Sequence, residues 1–74
     1  MNIHLLIMKE YKYLIIYKET GEAMTKRNCR EISEFIGFIY PEKTISHNTV
    51  SKRLKENEKR YFEYFDLIIK ELIW

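Results

Sequence analysis

The chain has 74 residues, 46% hydrophobic and 15% aromatic, with a formal net charge of +2. That is enough chain for one domain (residues 1–74) and too apolar for a disordered tail. The balance excludes a polycation and an acidic nucleic-acid mimic alike, and one cysteine, Cys29, excludes an internal disulfide framework. A domain this small buries only about 60% of its unfolded surface, so its core is modest.

The opening run Met1-Asn2-Ile3-His4-Leu5-Leu6-Ile7-Met8 lacks the basic lead of a signal peptide. Met8 is a candidate second start, which would make residues 1–8 either an accessory strand or a leftover. No stretch approaches the roughly 18 apolar residues of a membrane span, so a cytoplasmic location is expected. Tyr11 to Tyr17 is aromatic and β-branched, without Gly or Pro, and reads as a strand. Thr20-Gly21 supplies the positive φ of a hairpin turn, with Glu22 to Thr25 as the short return strand.

Asn28 with Glu31 three residues on matches a capping box, with Asn in place of Ser or Thr. Cys29, Ile32, Phe35 and Ile36 form the apolar stripe of the helix that follows, and Gly37 is its expected left-handed stop. Cys29 on that stripe reads as a small buried hydrophobe. Phe38 to Ile45, containing Pro41, is longer than the ordinary turn of about three or four residues in a helix-turn-helix. In this insert Phe38, Ile39 and Ile45 are expected to cap the core and Tyr40 to face a partner.

The second helix is the informative stretch. Ser46 is its candidate N-cap, and Val50 and Leu54 share its apolar face. At about 100° per residue, Asn48, Lys52, Lys55 and Lys59 fall opposite, with Ser51 at the border. Residues 43 to 60 hold six of the thirteen basic residues against Glu56 and Glu58. Such a local basic stripe on a near-neutral chain suits a polyanion. Asn can pair bidentately with adenine and Lys can reach guanine acceptors, so Asn48, Ser51, Lys52 and Lys55 are the candidate base contacts. Arg53, Lys59 and Arg60, with Lys26, Arg27 and Arg30 at the start of the first helix, are the candidate phosphate contacts. The plainer alternative is a solvated lysine-rich helix, and His47 reads as a surface residue of the capping turn.

Tyr61 to Trp74 supports two readings. As a helix it stripes Phe62, Phe65, Ile69, Leu72 and Ile73; as a strand it puts Phe65, Leu67 and Ile69 on one face. Aromatic and isoleucine density favours the strand, paired with Tyr11–Tyr17. The fold class expected is therefore α+β, a small antiparallel sheet (N-terminal hairpin plus C-terminal strand) packed on a helix-turn-helix. Tyr40, Tyr61, Tyr64 and Trp74 are more aromatic surface than a chain of this size readily hides, and are the candidate protein-interface residues.

Catalysis has little to work with. His4 and His47 share no metal-ligand spacing with Cys29, and two glycines make no phosphate loop. No enzyme activity, metal or cofactor is expected.

The segments Tyr-Leu-Ile-Ile-Tyr, Thr-Gly-Glu, Arg-Glu-Ile-Ser-Glu-Phe-Ile-Gly, Asn-Thr-Val-Ser-Lys-Arg-Leu and Tyr-Phe-Asp-Leu-Ile-Ile-Lys come in that order. From Tyr11 to Leu72 the chain resembles small phage and mobile-element proteins of low-GC Gram-positive bacteria, in which a hairpin precedes a helix-turn-helix and a final strand follows. The long insert departs from that pattern. The resemblance implies binding of double-stranded DNA through Asn48 to Lys55, as a transcriptional regulator. A homodimer is expected, because two half-sites give specific affinity that one short helix seldom does. The alternative is a phage-encoded inhibitor of a host machine, of the anti-CRISPR type, acting through protein–protein contact.

Overall fold

The structure is a computed structural model that describes residues 11–72. Residues 1–8, with the accessory-strand expectation attached to them, and Trp74 lie outside that range. The described elements are β1 (Tyr13–Tyr17), β2 (Ala23–Lys26), α1 (Cys29–Ile39), α2 (His47–Glu56), β3 (Tyr61–Tyr64) and β4 (Leu67–Glu71). This is the α+β class that the sequence suggests, with a hairpin on each side of a helix pair. The four strands form one antiparallel sheet in the order β2-β1-β4-β3. No helix among the described residues is long and apolar enough to cross a membrane.

The first hairpin follows from its residues. Ile15 pairs with Met24, and Tyr17 N–H donates to Glu22 C=O at 2.8 Å to close the turn. Gly21 sits at φ 76°, as the turn demands. Strand alternation then sends Tyr13, Ile15 and Tyr17 to the face that the helices cover, and Leu14 and Ile16 to the other.

The C-terminal segment corrects the single-strand reading. It is two strands joined by the two-residue turn Phe65-Asp66, with Tyr64 paired to Leu67. Phe65 is therefore a turn residue with φ 52°, and the core-facing set is Phe62, Tyr64, Leu67 and Ile69. The expected pairing to β1 is present through β4, which sets Ile15 opposite Ile69. A third and fourth strand give the first hairpin the support that an isolated two-stranded ribbon lacks.

The core is Ile15, Leu67 and Ile69 from the sheet, Ile32 and Ile36 from α1, and Val50 and Leu54 from α2, all at most 2% exposed. Burying each such side chain contributes roughly 1.5–3 kcal/mol. Cys29 lies half-buried against this core rather than fully inside it. Beside it, Tyr13 has its hydroxyl pKa pushed up to about 12, first by burial and then by its hydrogen bond with Cys29 and the nearby Glu71 carboxylate. Arg60 pulls in the opposite direction.

Both helix starts are capped by the expected residues. Asn28 Oδ1 accepts from Glu31 N–H at 2.9 Å, and Ser46 Oγ accepts from Thr49 N–H at 3.2 Å. The return bond of the first cap differs from a capping box, since Glu31 Oε1 accepts from Arg27 N–H at 2.7 Å.

Gly37 is not the stop. α1 runs through it to Ile39, because Phe38 and Ile39 are good continuations and nothing forces a left-handed turn. The break belongs to Pro41, which pushes the preceding residue out of helical conformation; Tyr40 has φ −128° and ψ 70°. A Cβ at position 37 would stand 3.5 Å from Thr44 Cγ2, an ordinary contact distance.

The connection between the helices is partly as expected. Ile39 and Ile45 pack against the core, and Ser33 Oγ donates to Ile45 C=O at 2.6 Å, tying the linker to α1. Phe38 does not cap the core and is 83% exposed. Two positions beyond Ile36, it is turned by about 200° from the buried stripe at about 100° per residue.

Candidate nucleic-acid interface

α2 is held from one side only. Val50 and Leu54 anchor it in the core, and Ser46 fixes where it begins. On the opposite side Asn48, Lys52 and Lys55 are all exposed, and Ser51 is half-buried at the border, as helical spacing requires. His47, the first helical residue, is also exposed. Among the described residues, the ion pair along this surface is Lys52 Nζ to Glu56 Oε1 at 4.0 Å, with both side chains more than 60% exposed. Such a pair is weak and leaves the ammonium available to a stronger anion.

The candidate phosphate contacts divide. Arg53 is exposed, yet its guanidinium stands 5.7 Å from the ring centroids of both Phe62 and Tyr64. It clamps α2 to β3 while its charged head stays at the surface. Lys59 is exposed in the turn after α2, where its N–H donates to Asn57 Oδ1 at 2.8 Å.

Arg60 lies just before β3, beside Glu71 of β4. It has φ 57°, and its Nε lies 3.7 Å from Glu71 Oε2. Its carbonyl also accepts from Glu71 N–H at 2.8 Å.

Lys26 and Arg27 are also engaged locally. Lys26 Nζ is 5.1 Å from the Phe35 ring centroid and the Arg27 guanidinium 5.5 Å from that of Tyr11. Both line a shallow groove with Tyr11, Thr25, Phe35, Glu31 and Glu34, whose two carboxylates offset the two cations. Arg30 is exposed on the first turn of α1.

Of the aromatic candidates, Tyr40 and Tyr64 come together with Phe65. The ring centroids are 6.1 Å apart for Tyr40–Tyr64, 5.0 Å for Tyr40–Phe65 and 4.9 Å for Tyr64–Phe65. Tyr40 is thus half-buried in a ring cluster rather than projecting toward solvent. Tyr61 is half-buried at the start of β3, away from that cluster in the alternation of the strand.

No protein-family model matches this chain, and neither a curated protein nor a solved structure matches it.

Two exposed side chains escape a reading of the sequence. Phe38 and Phe65 are the large apolar residues that stand out to solvent among the described ones, at 83% and 54%. Phe38 carries a legible signal, since helical spacing puts it opposite Ile36. For Phe65 the signal is faint, since Asp66 is the one turn-favouring residue in the Phe65-Asp66 turn.

Proposed function

We propose that this chain is a small DNA-binding protein, a transcriptional regulator of the phage and mobile-element type, with α2 as its reading element. One observation carries this: Asn48, Lys52 and Lys55 are exposed together along one side of α2 while Val50 and Leu54 fix the other in the core. An amide and two ammonium groups on a short, capped, protruding helix offer hydrogen bonds to base edges and charge to phosphates. Arg53 and Lys59 supply flanking phosphate contacts, and Arg30 can add a third. Lys26, Arg27 and Arg60, which also have local partners, remain candidates for further phosphate contacts. A homodimer acting in the host cytoplasm, on two half-sites, completes the proposal, and no chemistry at a metal or cofactor enters it.

A phage-encoded inhibitor of a host machine, of the anti-CRISPR type, is the second reading. The observation that favours it is the exposure of Phe38 and Phe65, since exposed aromatics commonly mark protein contacts. Binding to duplex fragments from the protein's own genomic neighbourhood, titrated from low to high salt, separates the two. The regulator predicts sequence-selective binding that weakens steeply with salt. No binding at low salt would end the DNA reading and direct attention to the aromatic surface.

A further inference from the structure

Phe65 occupies a conformation that its side chain does not favour. It sits at φ 52° in a two-residue turn, where Gly, Asn or Asp is the usual occupant. A bulky residue at positive φ is an outlier, and such outliers gather at functional positions. The core does not require the ring, which is 54% exposed.

The ring is nevertheless braced. Tyr40 and Tyr64 pack on it with centroids 5.0 and 4.9 Å away, the second edge-on at 82°. Tyr64 is held in turn by its hydroxyl, which donates to Lys43 C=O, and by the Arg53 guanidinium. Tyr40 is held by its N–H donating to Ile36 C=O at 2.7 Å, and its hydroxyl accepts from Asp66 N–H at 3.4 Å. Lys43 comes three residues before the cap Ser46, so this contact brings the hairpin tip to the start of α2. In a helix that enters the major groove, that end meets the base edges.

We propose that Phe65 is a second DNA contact, a braced aromatic wedge that stacks against a base step of the duplex next to the one α2 reads. The proposal rests on the DNA-binding reading above. Apolar wedges that part base steps are an established way for proteins to grip and bend DNA, and stacking accepts any base. One exposed ring with half-buried neighbours matches a single base step, whereas a protein interface needs a far larger apolar centre. The charges around the tip are mixed, Lys43 and Arg53 against Asp66, so the ring and not a local field supplies the contact.

Phe65→Gly tests this without endangering the fold, because glycine adopts φ 52° freely. The probe is a short mixed-sequence duplex carrying 2-aminopurine at successive positions, bound by the full-length protein. The wild-type protein should raise the fluorescence at one step. Phe65→Gly should bind about tenfold more weakly, as loss of one base–aromatic stack implies, with no fluorescence rise and an unchanged salt slope. Phe65→Tyr should restore both. Equal affinity and equal fluorescence for wild type and Phe65→Gly would overturn the wedge. If Lys52→Ala with Lys55→Ala then still loses salt-steep binding, the helix reading survives that failure. Absence of any wild-type binding would remove both.

Discussion

The two hairpins of this protein solve one backbone problem with different residues. Each reverses the chain through a residue at positive φ, Gly21 at 76° in the first and Phe65 at 52° in the second. Glycine visits that region freely, whereas an L-residue with a side chain is disfavoured there by roughly 1–2 kcal/mol. The first turn is thus a purely structural device. The second keeps an aromatic ring at the tip of β3–β4 where a small residue would be more comfortable, and that ring packs on Tyr64, whose hydroxyl meets the Lys43 carbonyl ahead of α2.

Substitutions at the two turns sharpen this contrast. The largest effect is expected for Gly21→Val. Nothing lies within 4 Å of a Cβ at that position, so the cost is backbone strain alone. Urea unfolding should show a loss of about 1–2 kcal/mol; an unchanged midpoint would mean that the turn relaxes and the comparison is empty.

Phe65→Gly should move stability somewhat less. Relief of roughly 1–2 kcal/mol of strain is offset by the entropy of glycine and by the ring packing given up, about 0.5–1.5 kcal/mol for each aromatic pair. With both ring pairs lost, the mid-range of those terms leaves a net loss of about 1 kcal/mol. A loss well beyond that would make Phe65 a structural residue.

Tyr13→Phe has its distinguishing effect in alkali. Folding holds the Tyr13 proton up to about 12, while the unfolded side chain releases it near its ordinary value of 10.0. The unfolded state therefore binds fewer protons between those values, and stability should fall as pH rises from about 10 to 12. Unfolding midpoints of Tyr13→Phe should decline less across that window than those of the wild type. Parallel declines would assign the alkaline loss to other groups.

These contrasts also mark where the sequence is legible. Local signals are reliable: Thr20-Gly21 for a turn, Asn28 and Ser46 for helix starts, and the spacing of Val50 and Leu54, which places Asn48, Lys52 and Lys55 on the outer side of α2. Each depends on residues within one or two turns of each other. Errors arise where other partners decide. Gly37 resembles a helix stop, but Pro41, acting through Tyr40, ends the helix instead. Tyr61–Trp74 resembles one strand because the turn between β3 and β4 is made by Phe65-Asp66, with Asp66 alone to announce it. What the sequence also leaves unseen is the partner of Arg60, since a helical wheel shows nothing of Glu71, brought near it by strand pairing. The ring contacts of Lys26 with Phe35 and of Arg27 with Tyr11 are likewise unseen in the sequence.

The central claim concerns α2, and a double substitution on its outer side tests it most directly. Lys52 and Lys55 are both exposed, so replacing them with alanine should leave the fold and unfolding midpoint nearly unchanged. Duplex affinity measured over a range of salt concentrations should then drop, and the log–log salt slope should become shallower by about 2, one for each ammonium group removed from a phosphate. Wild-type affinity and slope in Lys52→Ala with Lys55→Ala would contradict the assignment of α2 as the DNA-reading element.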